Sequence, residues 1–342
     1  MIDQQPLRGV RVLDLTRVLA GPFCTMNLAD LGAEVIKIEV PGRGDDSRSF
    51  APIMPSGDSG YFYSVNRGKR SITIDLRSAE GAAILLELAA KSDVVVENFS
   101  PGTMARFKVG YAQLKAANPR IILCSISGFG QTGPKAAAPA YDIVAQALGG
   151  TMSITGNAGG EPVRCGVSVG DLSAALYGVI AIMAAIRVRD RDGVGNHVDI
   201  AMLDCQVAML EDALARYSVS GRIPGRIGTR HPSITPFQQF RAADDYFVMG
   251  AGNRGDLASL LRRDRDAGAQ GRPAVCEQRG SHAEPSGARG DPRAYLRDAS
   301  ARPLAANPRR RVGAVRADCQ RRGSQPRSPS GGAQHDPARG AS

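Results

Sequence analysis

Strand-like and helix-like runs alternate along the first 253 residues, and this alternation restricts the folds open to the chain. The β-prone apolar segments, most of them followed by helical apolar spacing, lie at 9–16, 33–40, 71–76, 93–99, 120–127 and 197–202. Nearly continuous apolar runs such as 93–99 are typical of strands buried on both faces of a parallel sheet. Repeated β-α-β units therefore predict an α/β fold, with a parallel sheet covered by helices.

The composition changes abruptly near residue 253. Residues 254–342 contain 18 Arg and 9 acidic residues but no Lys, Ile, Phe, Met or Thr, whereas residues 1–253 contain 25 basic and 24 acidic residues. The net charge of +10 therefore belongs almost entirely to this tail. So few apolar residues cannot offset chain entropy, which predicts a disordered basic tail.

Two origins of the tail stay open at this point. A basic tail can contact RNA or acidic surfaces, but this one has no interleaved aromatic residues and no nucleic-acid motif. Arg, Ala, Gly, Pro and Ser are also the residues that a GC-rich gene encodes when it is read out of frame. We therefore hypothesise a frameshift near residues 253–255, and we expect no specific nucleic-acid partner.

The cysteines and the apolar segments predict a cytoplasmic protein without a metal site. None of the six cysteines stands at a C-x-x-C spacing, so neither a zinc site nor a disulfide framework is indicated. The N-terminus lacks the basic and apolar regions of a signal peptide. The longest strongly apolar stretch, 176–186, is too short to span a bilayer, so we expect no membrane partner.

One acid stands where a strand-like run meets an apolar helix. The segment GVSVGDLSAALYG (166–178) places Asp171 directly after Gly170. Asp is a favoured residue at the N-cap of a helix, because its carboxylate accepts bonds from free N–H groups. Position alone favours this capping role over a catalytic one.

Seven linked segments resemble one known family. They lie at 7–45, 66–76, 93–107, 118–134, 140–150, 169–178 and 228–240. In this order and spacing the chain is similar to the class III CoA-transferases, which include formyl-CoA transferase, the carnitine-CoA transferases and α-methylacyl-CoA racemase. The likeness extends from about residue 7 to 253.

The resemblance implies a domain arrangement and a partner. It predicts a Rossmann-like CoA-binding large domain over 1–224, a remnant of a truncated small domain over 225–253, and the tail over 254–342. Family members form dimers in which two chains interlock as rings. A homodimer is thus expected of the intact parent, and impaired dimerisation of this chain.

The resemblance also gives Asp171 a catalytic role. In the family this carboxylate attacks an acyl-CoA, and CoA passes to a carboxylic acid through aspartyl anhydride and aspartyl-CoA thioester intermediates. Acyl-CoA and a carboxylic acid are then substrates, and no tightly bound cofactor is expected. Oxyanions in such a reaction need donors, and the N–H groups of Gly170 and the helix start are candidates.

Tyr141 and Asp142 form the next candidate pair. In the racemase branch a His-Asp pair stands here and moves a proton at the substrate α-carbon. Tyrosine, with a usual pKa near 10, is a poor base at neutral pH, so the pair favours a transferase over an acyl-CoA racemase or epimerase. Core packing of Tyr141 and capping of the following helix by Asp142 are the structural alternatives.

Several further residues match CoA contacts of the family. Ala20 and Gly21 leave room for a ligand near a helix N-terminus. Basic side chains beside loops are natural phosphate partners, although a solvated surface charge is an equal alternative for each one. The candidate CoA-binding residues are Arg17, Ala20, Lys69, Arg70, Asn98, Phe99 and Arg106.

Overall fold

The computed structural model describes residues 5–241, 245–259 and 262. These residues fall into two compact units, of which the first ends at Gly228 and the second begins at Thr229. Most of the predicted tail, 254–342, lies outside the described residues. The domain boundary after residue 224 stays a prediction.

A parallel six-stranded sheet forms the centre of the first unit, as the alternation predicts. Its strands are β1 (Arg11–Asp14), β2 (Glu34–Glu39), β3 (Lys69–Thr73), β4 (Val94–Glu97), β5 (Ile122–Ser127) and β6 (His197–Ala201). Their order across the sheet is β3-β2-β1-β4-β5-β6. This is the order of the doubly wound Rossmann fold. In the register of the central strand, Val12 pairs with Val35 on one side and Val94 on the other.

Ten helices join the strands and extend the first unit, along with a short 3-10 turn at Asp46–Ser49. They are α1 (Ala20–Asp30), α2 (Gly60–Asn66), α3 (Ala79–Ala89), α4 (Thr103–Arg106), α5 (Tyr111–Ala117), α6 (Asp142–Leu148), α7 (Thr151–Ile154), α8 (Val169–Asp192), α9 (Met202–Ala208) and α10 (Asp212–Ser220). Local chemistry explains some ends. The Ser78 hydroxyl, for example, caps α3 by accepting the Gly81 N–H at 2.9 Å.

Apolar cores lie on both faces of the sheet, which explains why its strands read as continuous apolar runs. All four residues of β4 are buried. Val94 and Val96 belong to a core shared with α1 and α8, whereas Val95 faces a second core with Leu85 of α3 and Leu114 of α5. Burial on both faces is the physical reason that alternation is absent from this strand.

Helix α8 crosses one face of the sheet and is the longest helix in the described part of the chain. By length and composition it is apolar enough to cross a membrane. The stretch 176–186 is therefore part of a helix of sufficient length, although alone it is too short. Ala174 and Ile182 lie in the core with α1. Core helices of this kind pass the same test.

The second unit contains an antiparallel hairpin of β7 (Phe237–Arg241) and β8 (Tyr246–Gly250). Phe240 pairs with Phe247 in its register, and the two rings stack with centroids 5.6 Å apart. Residues 254–259 follow as helix.

Candidate active site

The strand order reverses between β1 and β4, and a set of predicted residues meets there. Ligands of doubly wound sheets bind outside the carboxyl ends of the strands at such a point. The Arg17 N–H donates to Asn98 Oδ1 at 3.0 Å, and Asn98 Nδ2 donates to the Arg17 carbonyl at 2.8 Å. The Arg17 guanidinium lies 5.7 Å from the centroid of Phe99. The loops after β1 and β4 are thereby joined at the switch point.

Helix α1 begins beside this junction. Ala20 is its first residue and is buried. A Cβ at Gly21 would stand 2.2 Å from the Thr16 Cβ, so only glycine allows the loop after β1 to approach the helix this closely. The start of a helix beside a crevice suits an anionic ligand, because its first N–H groups carry partial positive charge.

Lys69 does not lie free to bind a phosphate, and the structure corrects that expectation. Its Nζ donates to Asp14 Oδ2 at 2.9 Å, to the Pro22 carbonyl at 2.9 Å and to Asn66 Oδ1 at 2.8 Å. The side chain is only 2% exposed. An ammonium group has three donors, and all three are used internally. Lys69 therefore neutralises a buried carboxylate instead of a ligand.

Arg70 and Arg106 are both exposed, as a phosphate contact requires. Arg70 lies on the edge strand β3 and forms an ion pair with Glu34. Arg106 lies in α4 and donates to Thr103 Oγ1 at 2.9 Å. Within residues 5–241 neither is hydrogen-bonded to the Arg17–Asn98 pair. The structure thus brings together three of the predicted CoA residues and leaves these two at separate positions.

Asp171 lies inside the first turn of α8 and is not its N-cap. The helix begins at Val169 after Ser168 in the N-cap position, which makes Asp171 the third helical residue. The capping interpretation of Asp171 is therefore wrong. Because α8 connects two parallel strands, its N-terminus lies at the carboxyl edge of the sheet, the edge that also carries the loops after β1 and β4.

Asp142 supplies the bond that a cap would make. It is the first residue of α6, but its Oδ1 accepts the N–H of Gly170 in α8 at 2.8 Å. Its Oδ2 accepts from Gln146 Nε2 at 2.8 Å and from Arg164 Nε at 3.0 Å. The Gly170 N–H has its acceptor already, so the expectation that it serves an oxyanion is not supported. Asp142 caps, but it caps a different helix from the expected one.

The surroundings of Asp171 change its acidity. Burial and the neighbouring Asp142 carboxylate raise the pKa of Asp171 to about 7, against an opposing contribution from Arg164. Tyr61 of α2 lies within electrostatic range, since burial and then the charge of Asp171 raise the pKa of its phenol. A carboxyl group with a pKa near neutrality, next to a second carboxylate and a guanidinium cation, is a common feature of reactive sites.

Tyr141 is the most exposed member of this group. Its side chain is 79% accessible, so core packing does not explain it. It takes the N-cap position of α6 without a side-chain capping bond. The structure leaves its phenol available at the surface of the first unit, next to the buried Asp142.

Sequence reasoning missed Arg164 and Gln146, which complete the setting of Asp142. The Gln146 side chain is fully buried, and its Oε1 also accepts the Cys165 N–H at 2.9 Å. Arg164 stands in the irregular segment EPVRCGVSVGD. The available signal was an arginine seven positions before the acid, with no charged residue between the two.

A second polar cluster lies on the opposite face of the sheet. A cavity of about 130 Å³ is lined there by Glu97, Ser125 and His197 among other residues. Ser125 Oγ and His197 Nε2 are 2.9 Å apart, and burial raises the pKa of Glu97 to about 7. Among the described residues no group of three or more His, Cys, Asp or Glu side chains is placed to hold a metal ion.

Comparison with known proteins decides the family. The profile of CoA-transferase family III matches residues 7–300. The chain belongs to CoA-transferase family III. This confirms the resemblance drawn from the seven segments. A solved CAIB/BAIF family protein from Brucella suis has the same fold, with a TM-score of 0.70 and 43% identity, over 76% of this chain and 70% of that one.

Curated relatives in CoA-transferase family III share this part of the chain. The succinyl-CoA:glutarate CoA-transferase of Mus musculus is 49% identical over 260 residues, 76% of this chain and 60% of the relative. The acetyl-CoA:oxalate CoA-transferase of Acetobacter aceti is 47% identical over 250 residues, 72% of this chain and 64% of the relative. The chain thus spans about three fifths of the length of these relatives.

Proposed function

We propose that the chain carries the nucleophile of an enzyme that transfers CoA from an acyl-CoA to a carboxylic acid. The observation that carries the proposal is Asp171 itself. It lies half-buried in the first turn of α8 beside Asp142 and Arg164, at the edge of the sheet where doubly wound proteins bind ligands. Membership of CoA-transferase family III supports the reaction class.

The proposed reaction proceeds through two kinds of covalent intermediate. The Asp171 carboxylate attacks the thioester carbonyl, the C–S bond breaks, CoA leaves as a thiolate, and an acyl-aspartyl anhydride remains. The thiolate then attacks the aspartyl carbonyl, which releases the donor acid and leaves an aspartyl-CoA thioester. The acceptor carboxylate attacks that thioester, the C–S bond breaks, and a second anhydride forms between Asp171 and the acceptor acid. The released thiolate then attacks the acceptor carbonyl of this anhydride, which gives the new acyl-CoA and frees the Asp171 carboxylate. Each step exchanges one activated acyl bond for another, so the barrier is divided.

We further propose a dicarboxylate as the acid that receives CoA. The relatives are named for succinyl-CoA or acetyl-CoA together with glutarate, mesaconate or oxalate, and each of these three free acids is a dicarboxylate. Exposed arginines near the sheet edge, Arg17 among them, would attract such doubly charged molecules. Asn98, Phe99 and Ala20 would hold CoA at the switch point, with Arg70 and Arg106 as outer phosphate contacts.

Exchange of isotope-labelled succinate into succinyl-CoA tests the proposed reaction. The full chain should catalyse exchange, and Asp171→Asn should abolish it. Asp204→Asn is a matched control, because Asp204 is also the third residue of a helix, α9, but is exposed. Equal exchange by the wild type and the Asp171 variant would contradict the proposal.

An acyl-CoA racemase on the same scaffold is the second candidate. One observation favours it, since a carboxyl group with a pKa near 7 suits proton transfer at neutral pH. Incorporation of solvent deuterium at the substrate α-carbon, without exchange of succinate, would establish this alternative. Tyr141 in place of a stronger base argues against it.

We also propose that the intact parent is a cytoplasmic homodimer. This chain lacks part of the small domain of that parent, and its dimerisation is impaired. Helix α8 exposes Leu176, Ile180 and Met183, one stripe at helical spacing, with Ile180 62% accessible. Such a stripe fits an interface between copies. Resequencing the gene around codon 253 tests the frameshift hypothesis, and gel filtration that shows a stable dimer of the full chain would contradict the loss of dimerisation.

A further inference from the structure

We propose that Arg164 is a positioning residue for Asp171, which it holds in place through Asp142 and the N-cap of α8. The inference rests on the proposed function, because it assigns Arg164 a part in the reaction of that site. Arg164 is not among the residues that the sequence singles out, and it touches Asp142 rather than the reacting carboxylate itself.

The guanidinium of Arg164 makes three contacts in different directions. Its Nε donates to Asp142 Oδ2 at 3.0 Å, and its Nη2 donates to Ser168 Oγ at 2.9 Å. Its Nη1 lies 3.4 Å from the Gly166 carbonyl. The side chain thus connects the start of α6, the loop before α8 and the N-cap of α8. The planar fork of arginine suits this bridging, whereas the single ammonium of lysine does not.

The connection continues to the residue next to Asp171. The other oxygen of Asp142 accepts the Gly170 N–H at 2.8 Å. A Cβ at Gly170 would lie 3.0 Å from that oxygen, so the carboxylate rests directly against the backbone. The backbone that carries Asp171 is therefore held to Asp142, and Asp142 is held in turn by Arg164 and Gln146.

The same contacts distinguish the two acids chemically. Asp142 accepts three hydrogen bonds, and both of its carboxylate oxygens are occupied by them. Asp142 is therefore poorly placed to attack a thioester. Asp171 keeps its carboxylate available. Because Asp142 opposes ionisation of Asp171 and Arg164 favours it, removal of Arg164 leaves the nucleophile next to an uncompensated negative charge.

Carbodiimide labelling of Asp171 in the full chain tests the inference without requiring turnover. Carbodiimide reacts with protonated carboxyl groups, so the labelling rate of the Asp171 peptide, followed by mass spectrometry from pH 5 to 9, gives the midpoint of its ionisation. Arg164→Gln should raise the midpoint by about one pH unit or more. Arg164→Lys, which keeps the charge but loses the fork, should give a smaller rise. Arg77→Gln is the control, because it breaks an exposed Arg–Asp pair at Asp75.

Two results would overturn the role of Arg164. One is a folded Arg164→Gln variant that titrates like the wild type. The other concerns Arg164→Lys and applies if the glutamine variant does not fold. A midpoint of Arg164→Lys that equals the wild-type midpoint would then overturn the role.

Failure of the proposed function gives a different pattern. In that case Asp171 titrates as described in the wild type and the variants, but no acyl-CoA ever modifies it. An equal rise of the midpoint in Arg77→Gln would also contradict the role of Arg164, because it would show that the shift does not depend on that residue.

Discussion

Replacement of Asp171 by asparagine should stabilise the protein above neutral pH while it removes the nucleophile. The raised pKa means that the folded state resists ionisation of Asp171, with burial as the main cause and Asp142 as the second. Below the unfolded pKa of 3.8 the group is protonated in both states and contributes nothing to the pH dependence. Above the folded value of about 7 it is ionised in both states, and the folded state bears the full unfavourable energy.

The expected size follows from the two pKa values. At pH 8 the carboxylate is ionised in both states, and its burial destabilises the folded state by about 4 kcal/mol. At pH 5 the group is ionised only in the unfolded state, and the proton that must be taken up on folding costs about 2 kcal/mol. Asparagine carries no charge at either pH. The stability gained by the variant over the wild type should therefore grow by roughly 2–3 kcal/mol between pH 5 and pH 8.

Urea unfolding at several pH values measures this difference. The fluorescence or circular dichroism of the full chain gives the free energy of unfolding for each protein. Asp204→Asn, at the same helical position in α9 but exposed, is the matched control, because an exposed charge in the first turn of a helix changes the free energy of unfolding by only about 1 kcal/mol or less. A gain for Asp171→Asn that is constant from pH 5 to pH 8 would refute the reasoning that burial and Asp142 perturb this carboxyl group.

Four further substitutions probe other parts of the molecule. The stability advantage of Glu97→Gln over the wild type should likewise grow by about 2 kcal/mol between pH 5 and pH 8, because burial raises the pKa of Glu97 from 4.5 to about 7. A difference that does not change with pH in urea unfolding would contradict this. Lys69→Met should destabilise the protein by about 3 kcal/mol or more, since it leaves Asp14 buried with less compensation, whereas Arg70→Gln should change the free energy of unfolding by less than about 1 kcal/mol. Asn98→Ala should weaken CoA binding by about tenfold in calorimetry, because it removes the link between the loops after β1 and β4, and unchanged affinity would remove these loops from the proposed CoA site.

The sheet could be predicted from the sequence because its signal is local. The buried runs at 93–99 and 120–127 contain β4 and β5, and their apolar continuity reflects burial on both faces. The cap of α3 by Ser78 was equally readable from residue type and position. The strand order was not available from periodicity, because it depends on which crossovers the chain makes.

The site was only partly readable, because its properties depend on contacts between distant residues. Lys69 looks like a surface cation in the sequence, yet it contacts Asp14, which is 55 positions away. The capping of α8 by Asp142 joins residues 28 positions apart, and no local pattern indicates it. Asp171 itself was found through the resemblance to a family rather than from its position, which favoured an ordinary cap.

The most direct test of the central claim is covalent trapping at Asp171. The full chain is incubated with succinyl-CoA, and any aspartyl anhydride or aspartyl-CoA thioester is then captured with hydroxylamine or reduced with borohydride before peptide mass spectrometry. We expect the modification on the peptide that contains Asp171, only when succinyl-CoA is present, and not in Asp171→Asn. Modification at Asp142 instead, or at no carboxylate while the chain still exchanges succinate, would contradict the account.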